Sequence, residues 1–259
     1  MLKKIILTSV LLLLTSGLVF SYIYFVGREV EKASQGRVCR KISVRIADSR
    51  VNKLISTEEV LSTIGSGDIF GKRMDSIDLH NIEEKLSGRG EVLSCEAYLP
   101  EKDSMLVVTV TQRRAAIRLI TNEGESYYCD RDGFIFPVLN HMDVPVITGE
   151  IPVALENGRK GFACEDEKKW LDEVLGVTSW IDSHRQWRDM FSQIDVEPNG
   201  DLDLYPSQGN VRFVIGNSAD MDTKFRKISQ YYRGIEPAVK KGKYSCVNVK
   251  YKNQIICKQ

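Results

Sequence analysis

From Ile5 to Val26 the chain carries no charged residue (IILTSVLLLLTSGLVFSYIYFV), and this stretch constrains the molecule more than any other. Its 22 residues match the roughly 20 that a helix needs to cross a hydrocarbon core about 30 Å thick. A secretory signal has a shorter apolar stretch, roughly 7–15 residues, and a small-residue cleavage site. Here the run ends in Phe20-Ser21-Tyr22-Ile23-Tyr24-Phe25, which offers no such site. Aromatics at that place suit the interfacial belt where a spanning helix leaves the bilayer. The reading is an uncleaved anchor: a cytoplasmic tail at 1–4, a transmembrane helix at 5–26 and a polar linker at 27–37. Lys3 and Lys4 precede the helix, while Arg28, Glu29, Glu31 and Lys32 follow it, so the flanking charge favours an inside N-terminus by a narrow margin. Nearly all of the polar chain lies after the span, so the working part is expected outside the cytoplasmic membrane, in the periplasm.

That part is ordinary globular material, since the chain is 42% hydrophobic and 27% charged. A net charge of +1 with both signs interspersed leaves no electrostatic footprint for nucleic acid. Six cysteines (Cys39, Cys95, Cys129, Cys164, Cys246, Cys257) permit disulfides in an oxidising compartment without requiring them. None lies within four residues of another, so the spacing of zinc and redox motifs is absent. Buried thiols are one reading and at least one disulfide is the other, with a Cys246–Cys257 bridge across a terminal hairpin the pairing to check.

Residues 38–112 read as a compact α+β unit. Val38, Ile42, Val44 and Ile46 alternate as in a strand. Ser56-Thr57-Glu58-Glu59 is a capping box opening a helix that Gly65 ends. Asp78 is the expected N-cap of a second helix, with Leu79, Ile82 and Leu86 on its apolar side and Gly88 as a left-handed C-terminal residue. Val92 to Leu99 and Met105 to Thr111 follow as strands. The order is β-α-α-β-β, with both helices on one face of a three-stranded sheet.

Residues 113–259 read as a mixed β-sheet with two helices, again α+β. Strands are expected around Asn122-Glu123-Gly124-Glu125 and after Asp130-Arg131-Asp132-Gly133. A long amphipathic helix begins near Asp166, with Trp170, Val174, Val177 and Ile181 on one face. Short strands follow at Ile194–Val196, Asp201–Tyr205 and Val211–Ile215, then a helix from Asp222 to Arg233 and a terminal pair of strands from Tyr244 to Cys257. Asp201 and Asp203 alternate along one strand face, the pattern of a solvated surface.

The inventory of reactive groups argues against an enzyme. His80, His141 and His184 are the only histidines and show no H-E-x-x-H or similar spacing. There is no G-x-S-x-G elbow and no phosphate-binding glycine loop. Asp130-Arg131-Asp132-Gly133 opens like a calcium loop, but its later ligands are missing. No catalytic residue, cofactor or metal is expected.

Three local patterns resemble the FtsQ/DivIB family of bacterial cell-division proteins. One is Val92-Leu93-Ser94-Cys95-Glu96-Ala97 leading to Val108-Thr109-Val110-Thr111-Gln112-Arg113. Another is Tyr127-Tyr128-Cys129-Asp130-Arg131-Asp132-Gly133-Phe134-Ile135-Phe136-Pro137, followed by Val144-Pro145-Val146-Ile147-Thr148-Gly149. The third is Val247-Asn248-Val249-Lys250-Tyr251, which is similar to the family's closing V-D-x-R-Y segment. Ala115, Asn248 and Lys250 depart from the family's proline, aspartate and arginine. The resemblance implies a POTRA domain at 38–112, a β domain at 113–259, and a non-enzymatic scaffold at the division septum. It implies FtsB-like and FtsL-like division proteins as partners, and through them the septal peptidoglycan synthase. A partner strand would add to the terminal strands, which points to Lys250, Tyr251, Lys252, Asn253, Gln254, Ile255 and Ile256. A component of polypeptide export is the alternative that a POTRA unit also allows.

Overall fold

A computed structural model describes residues 15–28, 36–48, 53–155, 158–239 and 242–259. Residues 15–28 form a helix, α1. The predicted span covers 5–26, so its first part lies outside the described residues. Among the described residues no helix is long and apolar enough to cross a membrane. The described side chains of α1 are exposed, Leu18, Phe20, Tyr22 and Phe25 among them. The chain divides into two compact units, the second taking Asp48–Ile55, Gly90–Leu93 and everything from Gln112 onward.

The first unit is built on strand β1 (Lys41–Ile46), helices α2 (Thr57–Ile64), α3 (Ser66–Ile69) and α4 (Leu79–Ser87), and most of strands β2 (Val92–Tyr98) and β3 (Met105–Gln112). The sheet order is β1-β3-β2, with β1 and β3 parallel from Lys41 opposite Met105 to Ile46 opposite Val110. Parallel neighbours need a crossover, which the helices supply. Glu59 N–H donates to the Ser56 hydroxyl at 3.2 Å and Ser56 N–H donates to Glu59 at 2.7 Å, the reciprocal capping box expected from sequence. Asp78 caps α4 by accepting from Asn81 N–H at 3.0 Å. Glu83 on α4 accepts from the Ala97 amide of edge strand β2 at 2.8 Å, which ties helix to sheet and removes one free edge donor. Val60, Ile64, Ile82, Leu86, Leu106 and Val108 form the buried interior.

Two expectations are corrected here. Gly88 is right-handed, with φ −63° and ψ −17°, so no left-handed residue ends α4. A Cβ there would stand 3.2 Å from the Lys85 carbonyl, so crowding, not backbone sign, favours glycine. Val38 makes only an isolated bridge to Arg73, and β1 starts three residues later. Strands 41–46, 92–98 and 105–112 otherwise stand where the alternation put them.

The second unit is one ten-stranded mixed sheet with two helices. Its strands are β4 (Ala115–Ile120), β5 (Ser126–Asp130), β6 (Phe134–Pro137), β7 (Val146–Gly149), β8 (Gly161–Phe162), β9 (Phe191–Val196), β10 (Leu202–Pro206), β11 (Arg212–Gly216), β12 (Cys246–Asn248) and β13 (Ile256–Lys258). The helices are α5 (Glu165–Ser183) and α6 (Met221–Gln230), and a π turn, Tyr231–Ile235, continues α6. The sheet order β13-β12-β11-β10-β9-β7-β4-β5-β6-β8 makes β13 and β8 the two edges. Alternate side chains of the strands meet the helices: Ile117, Ile147, Ile194, Leu204, Phe213 and Val247 pack with Leu171, Val174, Ile181, Phe225 and Ile228. Phe191, Phe213 and Phe225 are joined edge to face at 5.8–6.0 Å.

A buried carboxylate fixes the start of α5. Glu167 accepts from Ala154 N–H at 3.0 Å and Cys164 N–H at 2.9 Å. Arg159 clamps both its oxygens at 2.7 and 2.6 Å. The guanidinium and the two amides hold the Glu167 carboxyl down at about 2.

Candidate partner-binding edge

The sequence brings the terminal hairpin to the sheet edge through alternating Val247 and Val249, both fully buried, flanked by polar residues. Strand β12 pairs parallel to β11, with Phe213 opposite Val247, and Val249 N–H extends the ladder by donating to Val214 at 3.0 Å. Strand β13 returns antiparallel, with Asn248 opposite Ile256 and Val247 opposite Cys257. Its outer side has no strand neighbour among the described residues.

The seven residues expected at the binding strand divide unevenly. Only Ile256 lies in β13, while Lys250, Tyr251, Lys252, Asn253, Gln254 and Ile255 form the connection that delivers it. The edge itself also includes Cys257 and Lys258, which the sequence reading left out. Ile255 and Cys257 pack partly against the core, whereas Tyr251 is 48% exposed.

The connection is held at three points. Asn248 Oδ1 accepts from Lys250 N–H at 3.0 Å, an Asx turn that starts the bend. The Lys250 ammonium reaches both oxygens of Asp201, at 2.6 and 2.7 Å. Lysine lacks the planar fork of the family's arginine, yet here one nitrogen spans the carboxylate. Its stem lies over Gly216, where an added Cβ would come 2.9 Å from Lys250 Cδ. The third point is Lys227 on α6, whose buried ammonium donates to the carbonyls of Val249 and Tyr251. Burial, and secondarily Arg226, push this lysine down from its ordinary value.

Between α6 and the connection runs an open groove of about 420 Å³, lined by Arg226, Lys227 and Gln230 on one side and Lys252 to Ile255 on the other. Arg226, Lys227 and Lys252 make it basic, which suits an acidic segment more than a cationic one. An unpaired strand edge beside a basic groove offers main-chain hydrogen bonds for affinity and charge for selection.

The terminal cysteines cannot bridge in this register. Cys246 stands opposite Lys258 and Cys257 opposite Val247, so the two thiols point to opposite faces of the hairpin. All six cysteines are free thiols.

The solvated reading of Asp201 and Asp203 is also corrected. Asp203 is 1% exposed and accepts from Arg212 Nη1 at 2.8 Å, and Glu197 accepts from the same nitrogen at 2.8 Å. Leu202 and Leu204 keep the alternation by packing in the core, so Asp203 is buried on the other face of the strand, not solvated there. Among the described residues no group of histidine, cysteine, aspartate or glutamate could hold a metal.

Fold and edge together define a class: a POTRA-like α+β unit followed by a mixed-sheet domain that presents its last strand as an open edge. Residues 115–258 match the family described as FtsQ/DivIB, C-terminal related, and residues 37–111 match a POTRA-like domain. No curated protein matches the chain. The chain belongs to the FtsQ/DivIB family. Membership makes it a cell-division protein, a class that interacts with other division proteins.

Proposed function

We propose that the chain is a non-enzymatic scaffold of the division machinery that receives an FtsB-like protein on the β13 edge. In this reading the arriving segment adds as a strand outside Ile256–Lys258 while its acidic residues face Arg226 and Lys252. FtsL-like protein is held with it, and the complex recruits and regulates the septal peptidoglycan synthase. The chain is anchored in the cytoplasmic membrane with its N-terminus inside and both folded units outside, at the septum. The exposed apolar side chains along α1 support that anchoring, because lipid would cover what no protein element covers.

The observation that carries the proposal is the preset connection. Lys227, Lys250 and Asn248 fix the segment before β13, so a partner strand meets an ordered edge. The test is co-purification of the full chain with the host's FtsB-like and FtsL-like proteins, comparing wild type with Tyr251→Ala and Ile255→Lys. Folded variants that no longer retain the partners support the edge. Retention by both variants moves the site elsewhere, and failure of the wild type to retain either protein brings the export alternative forward.

A further inference from the structure

The face of the sheet opposite the helices carries a charge imbalance across three strands. Among the described residues Arg212 on β11 is the one cation paired with Glu197, which follows β9, and with Asp203 on β10, and it serves both through a single nitrogen at 2.8 Å. Asp195 on β9 stands directly opposite Asp203 and adds a third carboxylate. Tyr205 on β10 and Cys246, opposite Arg212 on β12, complete the surrounding titratable groups. Lys250 and Asp201 are engaged with each other, and Asp195 accepts from the Thr148 hydroxyl, so neither pairing relieves Asp203.

Asp203 bears the consequence. Its Oδ2 meets Arg212, but its Oδ1 is buried and accepts no hydrogen bond from the described residues. A buried acceptor on an ionised carboxylate without a donor is costly, and two anions sharing one cation add to the cost. A proton on the Asp203 carboxyl would remove one of the two anions that share Arg212.

We infer that Asp203 keeps a proton where it meets Glu197 on Arg212, and that loss of this proton loosens strands β9 to β11. Burial, together with Glu197 and Asp195 and against the pull of Arg212, pushes the Asp203 carboxyl up to about 6. The folded chain therefore binds this proton where an unfolded aspartate has released it. The stabilisation is full below the unfolded value of about 4 and is lost as pH rises through about 6.

Urea unfolding of the full chain, followed between about pH 4.5 and about pH 8, tests this for wild type, Asp203→Asn and Glu197→Gln. The wild-type midpoint should fall from about pH 4.5 to about pH 6 and level off above it, and either variant should lose most of that fall. A folded Asp203→Asn chain that keeps the wild-type pH dependence overturns the inference. Carboxyl carbon resonances of labelled aspartates in the wild type give a readout that needs no variant. One aspartate should titrate near pH 6, well above the rest, and a spectrum in which every aspartate titrates below about pH 5 also overturns it.

Discussion

The ammonium of Lys227 donates to the backbone carbonyl of Tyr251, joining the last turn of α6 to the connection between β12 and β13. The same nitrogen also donates to the carbonyl of Val249, so a single buried charge satisfies two backbone carbonyls. Lys227→Met keeps most of the stem and removes both bonds. Charge-assisted hydrogen bonds suggest a stability loss of about 1–3 kcal/mol, read by denaturant unfolding. Amide exchange should quicken in residues 249–255 well before it changes in β4 or β5.

Gly216 has φ +69°, a left-handed backbone, and lies under the stem of Lys250. Gly216→Ala therefore meets a conformational cost of about 1–2 kcal/mol and a contact that displaces the lysine from Asp201. Gly200 has φ +81° with open space around it, so Gly200→Ala should show the backbone cost alone. The difference between the two midpoints measures the crowding, and equal losses would remove Lys250 from the explanation.

Acid should unlatch the start of α5. Glu167 has its carboxyl lowered to about 2 by Arg159 and two backbone donors. A depressed folded value gives stability above the unfolded value of about 4.5 that disappears as pH falls towards 2. The shift corresponds to about 3 kcal/mol at the most. Glu167→Gln should be less stable than wild type near neutral pH, and the gap should close in acid.

Thiol chemistry separates register from proximity. Because Cys246 and Cys257 face opposite sides of the hairpin, the unreduced chain should release six titratable thiols on unfolding. Four thiols, with Cys246 and Cys257 missing, would mean a slipped terminal strand.

What the sequence made legible was local. The Ser56–Glu59 box and the Asp78 cap depend on residues three apart, and α5 follows from a stripe of Trp170, Val174, Val177 and Ile181. The terminal hairpin was readable too, because apolar alternation marks strands wherever they pair. The burial of Asp203 was hidden, since its partners Glu197 and Arg212 come from other strands. Lys227 was hidden for a similar reason: a lysine on an amphipathic helix normally reaches water, and only the fold puts two backbone carbonyls above it. The candidate site was found by resemblance, but the division between connection and edge strand depends on where pairing resumes, and sequence spacing does not fix that.

The outer side of β13 is proposed to receive a partner strand. Hydrogen exchange of the Ile256, Cys257 and Lys258 amides, with and without the FtsB-like protein, tests it most directly. Exchange in this strand should slow on binding, with residues 250–255 following, while edge strand β8 is unchanged. Binding that leaves β13 exchanging as before and protects another surface would contradict it.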